Sequence, residues 1–153
     1  SRRRHTRFRN VTGVQTCALP ISMTQDTAIK ITEANIRRPD VTINCGPRTD
    51  NAFHAGEPRI VFEVLSPSTR DFDEDRKREE YKRVVSIRYI VLVDPDTPEV
   101  IVFERAGDGA WASRTHKGLD DEIKFVDPGF SLPLAEIYRG LSFRPRPTLV
   151  VGE

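Results

Sequence analysis

Two acidic residues lie inside apolar segments that are predicted to be consecutive β-strands. Asp40 lies in Arg38–Ile43, and Glu63 lies in Arg59–Pro67. A carboxylate inside a hydrophobic strand is costly unless a partner compensates its charge. Two carboxylates on consecutive strands therefore suggest a divalent cation between them, and such a cation can activate water and neutralise charge at phosphorus.

A lysine follows on the next predicted helix. Lys77 lies in a charged segment that would ordinarily form a solvated helix face. Near a cation site it would orient or deprotonate the attacking water, or hold the scissile phosphate. Each residue also has a simpler interpretation: Asp40 as a strand-edge cap, Glu63 as a structural residue and Lys77 as a surface residue. Tyr81, one turn after Lys77, is interpreted as a core-packing residue.

The surrounding pattern predicts a fold rich in strands, with one longer helix. Apolar and β-branched runs predict strands over 28–32, 40–45, 60–65, 89–93, 99–105, 110–115 and 122–125. The unbroken run Tyr89–Val93 is typical of a central strand buried on both faces. A helix is predicted over 73–85 with Asp71 as its N-cap, and a short helix over 133–138 with Ser131 as a cap.

Composition limits the class of protein. The chain has 153 residues, 37% hydrophobic and 31% charged, which indicates one small globular domain. It has no apolar run long enough to cross a membrane. Its two cysteines, Cys17 and Cys45, have no metal-ligand spacing. Nothing in the composition requires an oxidising compartment, so a cytoplasmic protein is expected.

The first 22 residues differ from the rest. They carry five arginines and no acid, and without them 19 basic residues stand against 23 acidic ones, a net charge of −4. A basic arm for nucleic acid or a targeting peptide would have this composition. However, the string Val11–Ile21 resembles the conceptual translation of a sequencing adapter. We therefore expect residues 1–22 to be an artefactual, disordered segment, and the natural amino-terminal part of the domain to be missing.

The ordered motifs from Arg38 to Phe143 resemble a known family. They are Arg-Pro-Asp-Val at 38–41, Phe-Glu-Val-Leu-Ser-Pro-Ser-Thr at 62–69, the D-x3-K-x3-Y spacing of Asp73, Lys77 and Tyr81, the strand and turn at 89–95, and the segment 130–137. This combination is similar to the Uma-two type restriction endonucleases of the PD-(D/E)XK nuclease superfamily.

The resemblance implies a fold, a cofactor and a set of site residues. The fold would be α/β (α+β), with a restriction-endonuclease-like mixed central sheet flanked by helices and with amino-terminal elements missing. Asp40, Glu63 and Lys77 would be catalytic, and Mg²⁺ or Mn²⁺ would be held by Asp40, Glu63 and the backbone carbonyl of Val64. The lysine of the superfamily's E-x-K motif would fall at Leu65, and Lys77 would take its role.

The expected protein is a metal-dependent endonuclease that hydrolyses phosphodiester bonds in nucleic acid, which we expect to be DNA. Its domain would span 23–143, followed by a loose tail at 144–153. The expected partner is nucleic acid and not a membrane, and a homodimer is one possible assembly. A catalytically inactive nucleic-acid-binding or interaction module with the same fold is the alternative. A carboxylate-pair glycosidase is a further alternative, although the chain is poor in aromatic residues.

Overall fold

A computed structural model describes residues 21–46, 57–66 and 72–143, and for Phe72 and Asp73 it describes the backbone alone. The segment 1–20, most of the predicted loop 46–58, the predicted N-cap Asp71 and the predicted tail 144–153 lie outside these residues. The described part contains the following elements: β1 (Ile21–Gln25), β2 (Ile29–Thr32), β3 (Asn35–Arg37), β4 (Val41–Cys45), β5 (Pro58–Val64), α1 (Phe72–Lys82), β6 (Tyr89–Val93), β7 (Glu99–Arg105), β8 (Trp111–Lys117), β9 (Glu122–Phe125), β10 (Phe130–Pro133) and α2 (Leu134–Ile137).

Six strands form a mixed central sheet. Their order is β1-β4-β5-β6-β7-β8, and two antiparallel hairpins, β2–β3 and β9–β10, lie outside it. Only β5 and β6 pair in parallel among the strands of this sheet; the other neighbours are antiparallel. A parallel pair needs a crossover connection, which α1 provides here. The fold is therefore the mixed α+β fold with a central mixed sheet that the sequence predicts.

Strand β6 forms the centre of the sheet, as its apolar run predicts. All five of its residues are buried, and successive side chains point to opposite faces. On one face Val91 packs in a cluster with Phe125 and Leu134 of the carboxy-terminal elements. On the other face Ile90 packs in a cluster with Tyr81 of α1. Helix α1 is thus held against one face of the sheet by apolar packing.

Helix α1 ends at Lys82, three residues before the predicted end at Val85. The backbone carbonyls at this end of the helix are bound by Arg105, a side chain distant in the sequence. The guanidinium of Arg105 donates to the carbonyl oxygens of Lys82, Val84 and Ile87, at 2.7, 3.1 and 3.0 Å. Carbonyls at a helix end need such partners, and Arg105 satisfies them in a tight turn that does not continue the helix.

Several details differ from the sequence prediction. Strands β1, β3 and β10 were not predicted, and β1 begins at Ile21, two residues before the predicted domain start at Met23. Strand β5 begins two residues early, at Pro58. Ser131 is not the cap of α2: the N-cap position is Pro133, without a side-chain hydrogen bond, because residues 130–133 pair with β9 instead.

Candidate active site

The register between β4 and β5 places the two predicted acids side by side. Val41 pairs with Phe62 at the end of this antiparallel ladder, and Asp40 and Glu63 are the next residue on each side beyond that pair. Both side chains line one cavity, and the charge of Asp40 acts on the carboxyl group of Glu63. The sequence expectation of two neighbouring carboxylates is therefore met in the structure, on the face of the sheet that α1 covers.

A backbone hydrogen bond fixes the orientation of Asp40. The amide of Val64 donates to Asp40 Oδ2 at 2.7 Å. In an extended strand, the N–H and C=O groups of one residue point to the same edge. The carbonyl oxygen of Val64 therefore faces the same side as Asp40, where it can serve as a third oxygen donor.

Glu63 is half-buried, and its charge is costly where it lies. Burial raises the pKa of its carboxyl group to about 6. A hydrogen bond from the Tyr81 hydroxyl and the nearby ammonium of Lys77 act in the opposite direction, while the neighbouring Asp40 raises the pKa further. Burial thus leaves the charge of this carboxylate costly, and a bound cation would relieve that cost.

Tyr81 connects α1 to this carboxylate. Its hydroxyl donates to Glu63 Oε1 at 2.5 Å, and its ring is 1% exposed within the apolar cluster beneath the helix. Burial, and then the charge of Glu63, raise the pKa of Tyr81, so the phenol stays protonated and remains a donor. The prediction that Tyr81 packs in the core is confirmed for its ring, but that prediction gave no role to the hydroxyl. The i,i+4 spacing places Tyr81 on the same helix face as Lys77, and this could have indicated that the hydroxyl lies near the site.

All three predicted catalytic residues line one cavity of about 300 Å³. Lys77 reaches it from α1, one turn before Tyr81, and Asp40 and Glu63 reach it from the strand ends. Leu65, the position at which the E-x-K motif would place its lysine, also lines the cavity. This position and Lys77 on the helix therefore border the same space. The cavity is lined further by Arg38, Ser66, Glu74 and Arg78, none of which is a predicted site residue.

The donor set fits a hard divalent cation. Mg²⁺ is usually bound by one or two carboxylates, with water and substrate oxygens completing its coordination. Asp40, Glu63 and the Val64 carbonyl supply oxygen donors of this kind. Across residues 21–46, 57–66 and 72–143, no cluster of three or more His, Cys, Asp or Glu side chains could hold a metal. The arrangement is therefore unlike a zinc site with three or four side-chain ligands.

Two curated relatives are described as uncharacterised proteins. The chain is 31% identical over 110 residues to an uncharacterised protein of Synechocystis sp., covering 71% of this chain and 57% of that protein. A second uncharacterised protein of the same organism is 31% identical over 78 residues, covering 50% of this chain and 44% of its own length. The chain thus spans about half the length of the curated relatives it matches.

A solved structure shares the fold. A crystal structure from Anabaena variabilis, described as a putative nuclease belonging to DUF820, superposes with a TM-score of 0.56 at 16% identity. The match covers 76% of this chain and 67% of that one. At this identity the similarity shows the fold alone, and it confirms the restriction-endonuclease-like architecture expected from the sequence.

The sequence profile of one family matches most of the chain. Residues 6–135 match the family described as "Uma2: Putative restriction endonuclease". This range contains the paired strands that carry Asp40 and Glu63, and the helix that carries Lys77. The chain therefore belongs to the Uma2 family.

Proposed function

We propose that this protein is a metal-dependent endonuclease that hydrolyses phosphodiester bonds in DNA. The observation that carries the proposal is the meeting of Asp40 and Glu63 at the end of β4 and β5, in one cavity with Lys77. Family membership supports the nuclease class. The geometry supports metal dependence, because two adjacent carboxylates without full compensation form a site for a divalent cation.

Asp40, Glu63 and the Val64 carbonyl would hold Mg²⁺ or Mn²⁺. When bound, such a cation lowers the pKa of water and neutralises charge on the phosphate group. The hydrogen bond from the Val64 amide holds the Asp40 carboxylate, and that from Tyr81 holds the Glu63 carboxylate. Outer hydrogen bonds of this kind fix the direction of ligand oxygens, and losing one typically costs a factor of 10–100 in metal affinity or activity.

Lys77 would act on the substrate. Its ammonium is close enough to Glu63 to affect the pKa of that carboxyl group, and it lines the same cavity. In hydrolysis, the attacking water loses a proton, a new P–O bond forms and the bond to the leaving oxygen breaks. Lys77 would orient the water or stabilise the charge that develops on the phosphate oxygens.

The glycosidase alternative is disfavoured by the spacing of the acids. Retaining and inverting glycosidases keep their carboxyl groups about 5–5.5 Å or 6.5–9.5 Å apart, so that the sugar or water fits between them. Here the Asp40 carboxylate lies near enough to Glu63 to raise the pKa of its carboxyl group. Such closely spaced acids are better suited to sharing one cation.

A cleavage assay on the purified chain tests the proposal. Supercoiled plasmid DNA and a labelled RNA are incubated with Mg²⁺, with Mn²⁺ and with EDTA. DNA should be cut only with metal, and Asp40→Asn and Glu63→Gln should each abolish cutting. Asp120→Asn and Glu122→Gln, which change exposed acids outside the cavity, are the matched controls. Cleavage in EDTA, or by either site variant, would refute the proposal, and metal binding without cleavage would favour an inactive module.

A further inference from the structure

One arginine at the cavity has no ion-pair partner among residues 21–46, 57–66 and 72–143. Arg38 is exposed and lines the cavity. Within the part of the chain that the structure describes, its guanidinium makes no ion pair or hydrogen bond. The other arginine that lines the cavity, Arg78, is paired with Asp75. Arg38 therefore stands apart as a cation whose hydrogen-bonding groups are available to a ligand.

The backbone on both sides of Arg38 is held in place. The preceding residue, Arg37, forms a two-pronged ion pair with Glu80 of α1. The following residue, Pro39, is buried, and a residue before proline is restricted to extended conformations. Asp40 then accepts the hydrogen bond from Val64. The side chain of Arg38 thus projects from a fixed segment, two residues before a proposed metal ligand.

The chemistry of this position points to an anion. A guanidinium remains protonated and offers only donors, so it cannot bind a metal ion and would repel one nearby. It is, however, the side chain best suited to grip a phosphate with two parallel hydrogen bonds. An unpaired arginine and a cation site can lie side by side when the arginine and the bound cation both attract the same polyanionic substrate.

We propose that Arg38 binds a backbone phosphate of the nucleic-acid substrate at the mouth of the cavity and positions the strand over Asp40 and Glu63. This proposal rests on the nuclease function proposed above. It adds a substrate-binding residue whose role differs from that of the metal ligands, since Arg38 would contribute to binding without metal. Apart from residues 1–22 the chain is acidic, so the positive charge of Arg38 would provide a local attraction for the nucleic-acid strand.

The test measures DNA binding separately from cleavage. Fluorescence anisotropy of a labelled duplex is recorded in EDTA at several salt concentrations for the wild type, Arg38→Ala, Arg38→Lys and Arg83→Ala. Arg83 is an exposed arginine just after α1 that does not line the cavity, so it serves as the control. Arg38→Ala should weaken binding by roughly 5–20-fold and flatten the salt slope by about one. Arg38→Lys should recover part of the affinity, and Arg83→Ala should resemble the wild type.

Cleavage kinetics in Mn²⁺ supply the second measurement. Arg38→Ala should raise KM more than it lowers kcat, while Mn²⁺ binding and the melting temperature stay unchanged. If the wild type binds and cuts DNA but Arg38→Ala and Arg83→Ala behave alike, the role of Arg38 is refuted and the nuclease function stands. If the wild type neither binds nor cuts nucleic acid, the nuclease function itself fails.

Discussion

At the scale of single residues, the site is organised around a carboxylate placed where its charge is unfavourable. Glu63 lies between a buried tyrosine, a second carboxylate and the end of an apolar strand. One hydrogen bond and one nearby ammonium offset only part of the cost of burying it. Such unbalanced charge is typical of sites that bind or react, because selection for stability alone would remove it.

This imbalance predicts that Glu63→Gln stabilises the metal-free protein at neutral pH. The pKa of Glu63 is about 6 in the folded protein against an ordinary value of 4.5. The folded state therefore holds the proton more tightly, and stability falls as pH rises from 4.5 to 6. Glutamine can still accept the hydrogen bond from Tyr81. In EDTA at pH 8, urea unfolding should show a gain of about 1–2 kcal/mol, which disappears near pH 4.

The exposed acid Glu122 provides the control for this experiment. Glu122→Gln should leave stability unchanged at both pH values, because its carboxylate lies at the surface. A Glu63→Gln protein that is less stable than the wild type at pH 8 would show that the carboxylate is fully compensated by its neighbours.

Lys77 provides a second test at this scale. Lys77→Ala should lower single-turnover DNA cleavage by roughly 10²–10⁴-fold, the usual effect of one acid–base group, with Mn²⁺ binding largely retained. Lys82→Ala is the matched control, since Lys82 lies on another face of α1 and pairs with Glu79. Equal effects of the two substitutions would leave Lys77 as an ordinary surface residue.

Substitution of Tyr81 tests whether its hydroxyl positions Glu63 as a proposed metal ligand. Tyr81→Phe keeps the buried ring and removes the hydroxyl that donates to Glu63. Affinity for Mn²⁺, measured by calorimetry, should fall by about 10–100-fold. The circular dichroism spectrum should be unchanged, because the packing volume is conserved. Unchanged Mn²⁺ affinity would mean that the hydroxyl satisfies Glu63 without directing it.

At the scale of elements, the crossover between the parallel strands β5 and β6 assembles the site. The chain leaves β5 just after Glu63 and returns through α1 across the same face, which brings Lys77 and Tyr81 over the strand end. The hairpin β2–β3 is joined to this helix by the ion pair of Arg37 with Glu80. Helix α1 is therefore joined by polar contacts to the hairpin, through Glu80, and to the end of β5, through Tyr81.

The ion pair of Arg37 with Glu80 predicts a loss of stability at acid pH. The hydrogen bond from Arg37 lowers the pKa of the buried Glu80 to about 2. Its contribution is complete above the ordinary pKa of 4.5 and is lost as pH falls from 4.5 towards 2. Glu80→Gln should cost about 1–3 kcal/mol in urea unfolding at pH 7, with a smaller difference at pH 3.

The adjacent Glu79 supplies a matched control for this substitution. It is exposed and pairs with Lys82 at 2.7 Å, so Glu79→Gln should cost less than about 1 kcal/mol. Similar losses for the two variants would mean that burial of Glu80 adds nothing to the strength of its ion pair.

The sequence could predict those elements whose signals are local. The central strand β6 is a continuous apolar run, and β4 and β5 have patterns strong enough to place Asp40 and Glu63 together. The missed strands β1, β3 and β10 are short, polar or contain proline, and they form through pairing with partners elsewhere. The end of α1 depends on Arg105, and Tyr81 reaches Glu63 only in three dimensions. Arg38 gave no local signal beyond its position before the Pro39–Asp40 motif.

At the scale of the whole molecule, the charge distribution would limit how the proposed nucleic-acid substrate could bind. Apart from the first 22 residues the chain is acidic, so it lacks the general basic surface of a protein held on DNA by charge alone. Binding would then depend on few phosphate contacts and on the cation at the site. Within the described ranges, neither helix has the length and apolar character needed to cross a bilayer. A homodimer stays a prediction, which light scattering of the purified chain would test.

A divalent cation shared by Asp40 and Glu63 is the central feature of the proposed site. Calorimetric titration of Mn²⁺ into the purified chain at pH 7.5 measures this directly. The wild type, Asp120→Asn and Glu122→Gln should each bind one ion at the site, and Asp40→Asn and Glu63→Gln should each lose that binding. Mn²⁺ binding that persists unchanged in both site variants would contradict the account.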